Sequence, residues 1–502
     1  MSPDHPELRK FLPALSLLLL LIGLTYTLLN PQGPLGDPGT GWQLKTGQWL
    51  WEHKTLPTHD LFSYTVPDQP WILYQWLFQV MAGALQQVGG IALVMVVCSF
   101  LYNLIPLIVV QRMLAQRSHF LLAMVLAFCT WMVMTMHDLT RPHVFTYLFF
   151  SIFLLILERV YNNVESWRKN IPILCGLPLL MLFWCNLHGG FFVGFILCGI
   201  FSIAALLDFW QSRRQEKMQQ AALFAAVLIV CLLVSLINPY GWDLHRNILS
   251  YLNLESLKLW TEFMPPFTSP SLNVYLFEAS VLLLIVLMAF GRKRLTWAEL
   301  GCVIVFLHLA LHSVRHVNLF VLVVAPILAR LGTEYLQQIQ PNFSKRMIQI
   351  GQEQLQGKTH RYYVPLLAVL WISLVWLAPT KLPHDLPDIR LSKAAGDYIA
   401  QHPEKFSRMF NTDNLGGALV YRFSPDIKIF MDDRTDYYRD DFILKTYLPI
   451  LQLKEGWMQK LESFGVSSAV LPAKTSLGAA LAQAGWERVF HDDKIDIYLK
   501  NP

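Results

Sequence analysis

The chain has 502 residues, of which 54% are hydrophobic and only 15% are charged, and its formal net charge is +5. Soluble domains carry about 25% charged residues, so this composition excludes an ordinary soluble protein and indicates a polytopic membrane protein. The small positive charge gives no reason to expect nucleic-acid binding. The seven cysteines lie in or beside apolar stretches, which excludes a disulfide framework in the polar C-terminal part.

Apolar segments recur along the first three quarters of the chain. A helix of about 20 apolar residues crosses the hydrocarbon core of a bilayer, and about 11 segments meet that requirement. The predicted spans are residues 11–30, 89–112, 118–136, 144–160, 171–187, 191–209, 220–237, 273–291, 296–312, 317–333 and 363–379.

The loops between these spans differ in charge, and this difference predicts the orientation. Six clusters of Lys and Arg fall on one side, which the positive-inside rule makes cytoplasmic. An odd number of spans then places the N-terminus inside and the C-terminal part outside. The basic clusters are Arg9-Lys10, Arg112 to Arg117, Arg168-Lys169, Arg213-Arg214, Arg292 to Arg294 and Lys345 to Arg361.

The first outer loop, residues 31–88, contains two segments with the character of interfacial helices. In residues 42–53, Trp42 and Trp49 are seven apart on one helical face, and Trp prefers the headgroup level. Residues 71–87 form a mostly apolar helix with one polar stripe, for which an ordinary membrane span is the alternative. The stripe consists of Gln75, Gln79 and Gln86.

Beyond residue 380 charged residues return, and short strand-like runs alternate with helical ones. This pattern predicts a small α/β domain at residues 381–502, outside the membrane, after a transmembrane domain at residues 1–380. The predicted strands are 407–411, 427–431, 467–471, 487–490 and 494–499, and the predicted helices are 389–401, 437–452 and 456–463.

Asp37 lies a short loop after the first span, at the membrane surface. Asp37-Pro38 fits a helix N-cap with Pro at the first helical position. Gly39 and Gly41 instead favour a close backbone approach to a ligand. A carboxylate here could also act as a general base on a hydroxyl whose reaction partner is anchored in lipid. Both roles can hold at once.

Asp60 is the second acidic candidate in the first loop. It is interpreted either as a loop or cap acid or as a second catalytic acid. If the site holds a divalent cation such as Mg²⁺ or Mn²⁺, its ligands would come from Asp37, His59 and Asp60.

Arg141 and Arg315 are the candidates for binding a lipid phosphate. A guanidinium holds phosphate through two hydrogen bonds and stays charged. The alternative is that both side chains extend towards the headgroups without binding a substrate. Histidines lie near both arginines and at a further loop where glycines permit close approach, although a structural role is open for each. These histidines are His143, His188 and His316.

In the C-terminal part, Asp432, Asp433 and Arg434 follow a strand-like run, where α/β folds often place functional residues. A local network of ion pairs is the alternative interpretation. If they are functional, they would contact the acceptor.

The sequence resembles the GT-C superfamily of membrane glycosyltransferases, which includes protein O-mannosyltransferases, the aminoarabinose transferase of lipid A and oligosaccharyltransferase catalytic subunits. The superfamily's acid after the first span matches Asp37. The segment from Asp60 to Tyr64, the Asn-Leu-His-Gly-Gly motif and the Asp-Asp-Arg motif also resemble bacterial GT-C-like proteins of unassigned substrate. Two features differ: Pro38 replaces the second acid of the mannosyltransferases, and the Trp-Trp-Asp signature of the oligosaccharyltransferases is absent.

The resemblance implies an inverting glycosyltransferase in a bacterial inner membrane. Its donor would be a sugar on a polyprenyl phosphate or diphosphate, its acceptor a hydroxyl of a lipid, glycan or protein, and Asp37 its base. The clustering of ionisable residues near the outer ends of spans favours surface chemistry. A transporter or flippase, and a non-catalytic envelope assembly protein, remain as alternatives.

Overall fold

The computed structural model describes residues 14–163, 167–291, 294–355 and 382–501. Within these ranges, eight helices are long and apolar enough to cross a membrane, and two apolar helices are shorter. All ten coincide with predicted spans, so the multi-span α-helical architecture is confirmed. The predicted span 363–379 lies outside the described residues. The chain is an integral membrane protein.

The helices of the membrane part are α1 Ala14–Leu29, α2 Thr40–His53, α3 Trp76–Ala115, α4 Phe120–Met134, α5 His143–Asn162, α6 Gly176–Leu187, α7 Phe192–Ser212, α8 Gln215–Val234, α9 Trp242–Leu252, α10 Leu272–Phe290, α11 Trp297–His312, α12 Val317–Ile339 and α13 Pro341–Leu355. Those of the C-terminal part are α14 Lys393–Gln401, α15 Asp413–Phe423, α16 Thr435–Phe442, α17 Trp457–Ser463 and α18 Ser476–Gln483. Helix α11 starts with a capping box, in which Thr296 and Glu299 satisfy each other's backbone N–H groups.

The polar stripe of residues 71–87 faces helix α2. Helix α3 is interrupted at Gly89 and Gly90, where the backbone is not helical, so its first part is separated from the span that follows. Buried amides need hydrogen-bond partners, and the stripe finds them on α2. The Gln79 amide donates to Gln43 Oε1 at 2.7 Å, and the Gln86 amide donates to the Leu44 carbonyl at 3.0 Å.

The C-terminal domain contains a four-stranded sheet of order β1-β2-β4-β3, in which β1 and β2 are parallel and the other pairs antiparallel. The prediction of a strand at 427–431 is wrong, because Ile429 makes only a single bridge to Ser63 of the first loop. The predicted helix 437–452 is broken by a positive φ at Arg439 and continues as a π-helical turn. The strands are β1 Met409–Asn411, β2 Ser468–Pro472, β3 Glu487–His491 and β4 Ile495–Leu499.

The first loop and the C-terminal domain share one hydrophobic core, separate from the core of the membrane helices. Trp42 is buried in this shared core, so the prediction that it faces the headgroups is wrong. Helices α2 and α15 meet backbone to backbone: a Cβ on Gly417 would lie 1.9 Å from the Pro38 carbonyl oxygen. Gly41 is needed for the same contact, so its close approach is to the protein itself.

Candidate functional site

Asp37 lies in the turn between α1 and α2. Its Oδ1 accepts a hydrogen bond from the Gly39 N–H at 2.9 Å, and helix α2 begins at the next residue. This short Asp turn fixes the carboxylate relative to the start of the helix. Oδ1 also contacts Arg141, and no hydrogen bond among the described residues uses Oδ2. One carboxylate oxygen is therefore held in place while the other can accept a proton.

Arg141 joins Asp37 to the C-terminal domain. Its Nη1 lies 3.0 Å from Asp37 Oδ1, and its Nη2 lies 3.4 Å from Asp433 Oδ2. Asp433 also accepts a hydrogen bond from the Trp42 indole N–H at 2.7 Å. The three charged side chains are 12% to 19% exposed, so the cluster is mostly buried and only its edge reaches solvent. We call Asp37, Arg141 and Asp433 the carboxylate–arginine centre.

A glycine permits this convergence. A Cβ on Gly39 would lie 2.5 Å from Asp433 Oδ2 and 2.9 Å from Arg141 Nη2. Both distances are shorter than van der Waals contact, so any side chain at this position would push the two charged groups apart. The absence of a side chain at Gly39 thus lets Arg141 and Asp433 approach each other next to Asp37.

The charges in the centre shift one another's protonation. Burial raises the pKa of Asp433 to about 7, an effect that Arg141 opposes and Asp37 reinforces. Burial disfavours the charged form of Arg141, yet Asp37 and Asp433 raise the pKa of its guanidinium above the ordinary value. The centre therefore contains a permanent cation and a carboxyl group that exchanges protons near neutral pH.

Arg315 approaches the same region from the start of α12. It lies 3.7 Å from Glu262, and its guanidinium is 4.5 Å from the centre of the Phe263 ring. Its side chain is 28% exposed, which is more than that of Arg141. Arg141 and Glu262 both act electrostatically on it. Among the described residues its acidic partner is Glu262 at 3.7 Å, so Arg315 is better placed than Arg141 to bind an added anion.

His188 is held as a neutral imidazole. Its Nδ1 accepts the Gly190 N–H at 3.1 Å and lies 2.8 Å from the hydroxyl of Thr146. Burial and the two arginines lower the pKa of His188 to about 3. Because Nδ1 is an acceptor, the ring proton is assigned to Nε2, which can donate a hydrogen bond.

The other two predicted histidines, His143 and His316, differ in their hydrogen bonding. His143 Nε2 lies 2.8 Å from the His137 carbonyl oxygen, so that nitrogen is used within the fold. The Nδ1 atom of His316 is buried without a hydrogen-bond partner in the described structure.

Asp60 lies in a separate buried cluster. Arg434 Nη1 is 2.7 Å from Asp60, and Arg434 Nη2 is 2.7 Å from Asp432, with all three side chains at most 1% exposed. Burial alone would raise the pKa of Asp60, but Arg434 lowers it below the ordinary value. The Arg434 guanidinium lies 4.7 to 5.8 Å from the centres of five aromatic rings. These rings belong to Trp42, Phe62, Trp71, Tyr437 and Tyr438. The cluster joins the first loop to the C-terminal domain.

The proposed metal ligands do not come together. Asp60 is enclosed with Arg434, whereas the exposed His59 has its Nδ1 3.0 Å from the Thr58 hydroxyl. Across the described parts of the chain, no group of three His, Cys, Asp or Glu residues could hold a metal ion. The cation on Asp37 is the guanidinium of Arg141. The donor set therefore does not fit Mg²⁺ or Mn²⁺, which need several oxygen ligands.

Sequence reasoning missed Glu262, Tyr74 and Tyr251, which surround the two arginines. Tyr251 and Glu262 act electrostatically on Arg315, and Tyr74 acts on both arginines. The Tyr74 ring also lies against Gly189, at 3.3 Å from where a Cβ would be. None of these residues belongs to a motif or lies at a predicted span end, so the sequence carried no signal for them.

No protein-family model matches the chain, and no curated protein matches its sequence. Solved structures do match it. The oligosaccharyltransferase AglB from Archaeoglobus fulgidus, in complex with an inhibitory peptide and a dolichol-phosphate, gives a TM-score of 0.58 at 11% identity. The alignment covers 91% of this chain and 69% of AglB. This chain therefore shares the fold of the oligosaccharyltransferase.

Two further structures of the Archaeoglobus fulgidus oligosaccharyltransferase match the chain over the same extents. The form tethered to an acceptor peptide containing the NVT sequon gives a TM-score of 0.58 at 11% identity. The apo form gives 0.54 at 12% identity. Both cover 91% of this chain and 69% of the oligosaccharyltransferase. At this identity the likeness concerns the fold.

Proposed function

We propose that this protein is an inverting glycosyltransferase that moves a sugar from a polyprenyl phosphate or diphosphate to an acceptor hydroxyl at the outer face of the membrane. The observation that carries the proposal is the Asp37 carboxylate, which Arg141 holds where a GT-C membrane fold meets its C-terminal domain. AglB was solved with a dolichol-phosphate, which is a lipid phosphate of the proposed donor class.

Asp37 acts as the general base. Its Oδ1 is fixed by Gly39 and Arg141, so Oδ2 remains to accept the proton of the acceptor hydroxyl. As that proton leaves, the acceptor oxygen forms its bond to the anomeric carbon. The bond from that carbon to the phosphate oxygen breaks on the opposite side, and the lipid phosphate leaves with the electron pair. A single displacement of this kind inverts the configuration.

Arg315 stabilises the leaving phosphate. It is the more exposed of the two arginines, and Glu262 at 3.7 Å is a weak partner that a phosphate can displace. His188 can add a hydrogen bond from Nε2 without adding charge. We assign Arg141 a role other than binding the lipid phosphate, because Asp37 and Asp433 already lie against its guanidinium. It positions Asp37 and keeps Asp433 beside it.

The test is release of lipid phosphate by the protein in nanodiscs, supplied with polyprenyl-linked sugars and an envelope extract as the source of acceptor. Asp37→Asn keeps the size of the side chain and removes the base. We expect a loss on the order of a thousandfold, comparable to the loss of other groups that act only in the transition state.

The matched control is Glu52→Gln, because Glu52 is an exposed acid on α2, the helix that follows Asp37. It should release lipid phosphate at the wild-type rate. Equal release by Asp37→Asn and wild type would remove Asp37 from the chemistry. No release by the wild type with any donor would leave transport or assembly as the function.

A further inference from the structure

Thr146 of helix α5 uses its hydroxyl differently from four other buried threonines of the helices. Each of those four donates to the carbonyl four residues earlier in its own helix, at 2.5 to 3.1 Å, and they are Thr27, Thr46, Thr130 and Thr333. The described structure shows no such bond for Thr146. Its Oγ1 lies 2.9 Å from the Trp184 indole nitrogen and 2.8 Å from His188 Nδ1. The hydroxyl therefore joins two side chains of a neighbouring segment.

The direction of these hydrogen bonds is fixed by the donor at one end. An indole nitrogen can only donate, so the Trp184 N–H donates to the Thr146 oxygen. The hydroxyl proton of Thr146 then points at Nδ1 of His188. The Gly190 backbone N–H also donates to Nδ1, at 3.1 Å. Two donors face Nδ1, which leaves the proton of the neutral ring on Nε2.

Gly190 leaves room for this arrangement. A Cβ at this position would lie 2.5 Å from Thr146 Oγ1 and 2.9 Å from His188 Nδ1. Both distances are shorter than van der Waals contact, so any side chain would separate the hydroxyl from the ring. The backbone of Gly190 does not have a positive φ, so the requirement for glycine comes from space and not from conformation.

His188 lies beside the helix start that carries both arginines. Arg141 precedes α5 by two residues, and Tyr147, the neighbour of Thr146, has its hydroxyl 3.4 Å from the Arg315 carbonyl oxygen. His188 is partly exposed, and no hydrogen bond among the described residues uses its Nε2. The Nε2–H group is therefore available to a ligand at this end of α5.

The position of the ring proton decides what His188 can bind. With the proton on Nε2, the neutral ring donates one hydrogen bond and does not add a third positive charge next to the two arginines. With the proton on Nδ1, Nε2 would present a lone pair, which repels an anionic oxygen. A phosphate at this position thus requires the first of the two tautomers.

We infer that Thr146 is a positioning residue, which together with Trp184 holds His188 in the Nε2–H tautomer and makes it a hydrogen-bond donor to the lipid phosphate. The identity of the anion rests on the proposed function. Thr146 does not touch the substrate and acts through His188.

The first test observes the tautomer and does not depend on activity. The full-length protein, containing histidine labelled with nitrogen and carbon isotopes, is placed in nanodiscs, and the ring nitrogens are observed by NMR. The His188 signals are identified by their absence from His188→Ala. Thr146→Val removes the hydroxyl at nearly constant shape, and Thr146→Ser keeps it. The matched control is Thr130→Val, because the Thr130 hydroxyl bonds back to its own helix at 2.8 Å.

Wild type, Thr146→Ser and Thr130→Val should show a bare Nδ1 and a protonated Nε2 in His188. Thr146→Val should show a mixture of the two tautomers, because one of the two donors to Nδ1 is gone. A His188 spectrum of Thr146→Val equal to that of wild type would overturn the inference, since the Gly190 N–H would then fix the tautomer by itself.

The second test measures the binding of a short-chain polyprenyl phosphate to the same proteins. Thr146→Val and His188→Ala should each weaken binding about tenfold, because each loses a hydrogen bond to an anion, and Thr146→Ser and Thr130→Val should bind as wild type. The double variant Thr146→Val/His188→Ala should bind no more weakly than His188→Ala. Additive losses would show that Thr146 acts elsewhere and would overturn its role.

Two further outcomes concern the ligand itself. Equal affinity for inorganic phosphate would overturn the lipid as the source of the anion. No binding of polyprenyl phosphate by the wild type would overturn the donor site of the proposed function, whereas the NMR spectra would still decide whether Thr146 positions His188.

Discussion

The indole N–H of Trp42 donates to Asp433 at 2.7 Å, across 391 residues of sequence. This bond joins the first loop to the C-terminal domain at the edge of the carboxylate–arginine centre. The domain therefore contributes a charged side chain to the candidate site, in addition to covering it. A variant that loosens the domain should affect chemistry as well as stability.

Asp433 should make the stability of the protein depend on pH. Burial raises its pKa from the ordinary 3.8 to about 7. Between these values the folded protein binds a proton that the unfolded chain releases, so the free energy of unfolding falls as pH rises from about 4 to about 7 and then levels off. Asp433→Asn stays neutral and should lack this fall.

The measurement is the thermal unfolding midpoint in nanodiscs for both proteins across this pH range. The unfolding midpoint of Asp433→Asn, relative to that of wild type, should increase with pH up to about 7. A difference that does not change with pH would contradict a raised pKa for Asp433.

Arg315→Gln should lower the rate of transfer about a hundredfold, because the leaving phosphate loses its cation. Arg315→Lys should recover part of the rate, since it restores the charge without the two-pronged geometry. Arg246→Gln is the control, because Arg246 is a highly exposed arginine on α9. Single-turnover release of lipid phosphate gives the rates. Wild-type rates in Arg315→Gln would show that Arg315 does not contact the donor.

Gly417→Ala should detach the C-terminal domain from helix α2. The added Cβ would lie 1.9 Å from the Pro38 carbonyl oxygen, and this neighbour is backbone that cannot rotate away. Overpacking of this kind costs about 1–3 kcal/mol or more. We expect a lower unfolding midpoint together with a loss of transfer. Gly33→Ala in the first outer loop is the control, because Gly33 has open space around it and the variant should behave as wild type.

The Asp60→Asn variant distinguishes a structural role of Asp60 from a catalytic one. It removes one of the two carboxylates that pair with the buried Arg434, which keeps Asp432 as its counter-charge, and losing a hydrogen bond to a charged group costs about 1.5–3 kcal/mol. The variant should unfold at a lower temperature, whereas its folded fraction should keep the wild-type kcat. Unchanged stability combined with lost activity would instead make Asp60 part of the reaction.

The membrane helices could be read from the sequence because hydrophobicity is a local property. Each span is a run of about 20 apolar residues, and no distant residue is needed to identify it. Asp37 and Arg141 were found in the same way, as charged residues beside such runs. The spacing of Gln75, Gln79 and Gln86 also predicted a helix correctly, because the periodicity of side chains follows from backbone geometry.

Only the tertiary structure decided which charges meet. Arg141 and Asp433 are 292 residues apart, and Asp60 and Arg434 are 374 apart. No periodicity in one segment predicts such pairs, because they depend on how closely helices α2 and α15 pack. That packing made Asp60 part of a buried ion pair and left one carboxylate oxygen of Asp37 without a hydrogen bond from any described residue. It also turned the strand-like run 427–431 into a single bridge to the first loop, because its partner residue lay outside the sheet.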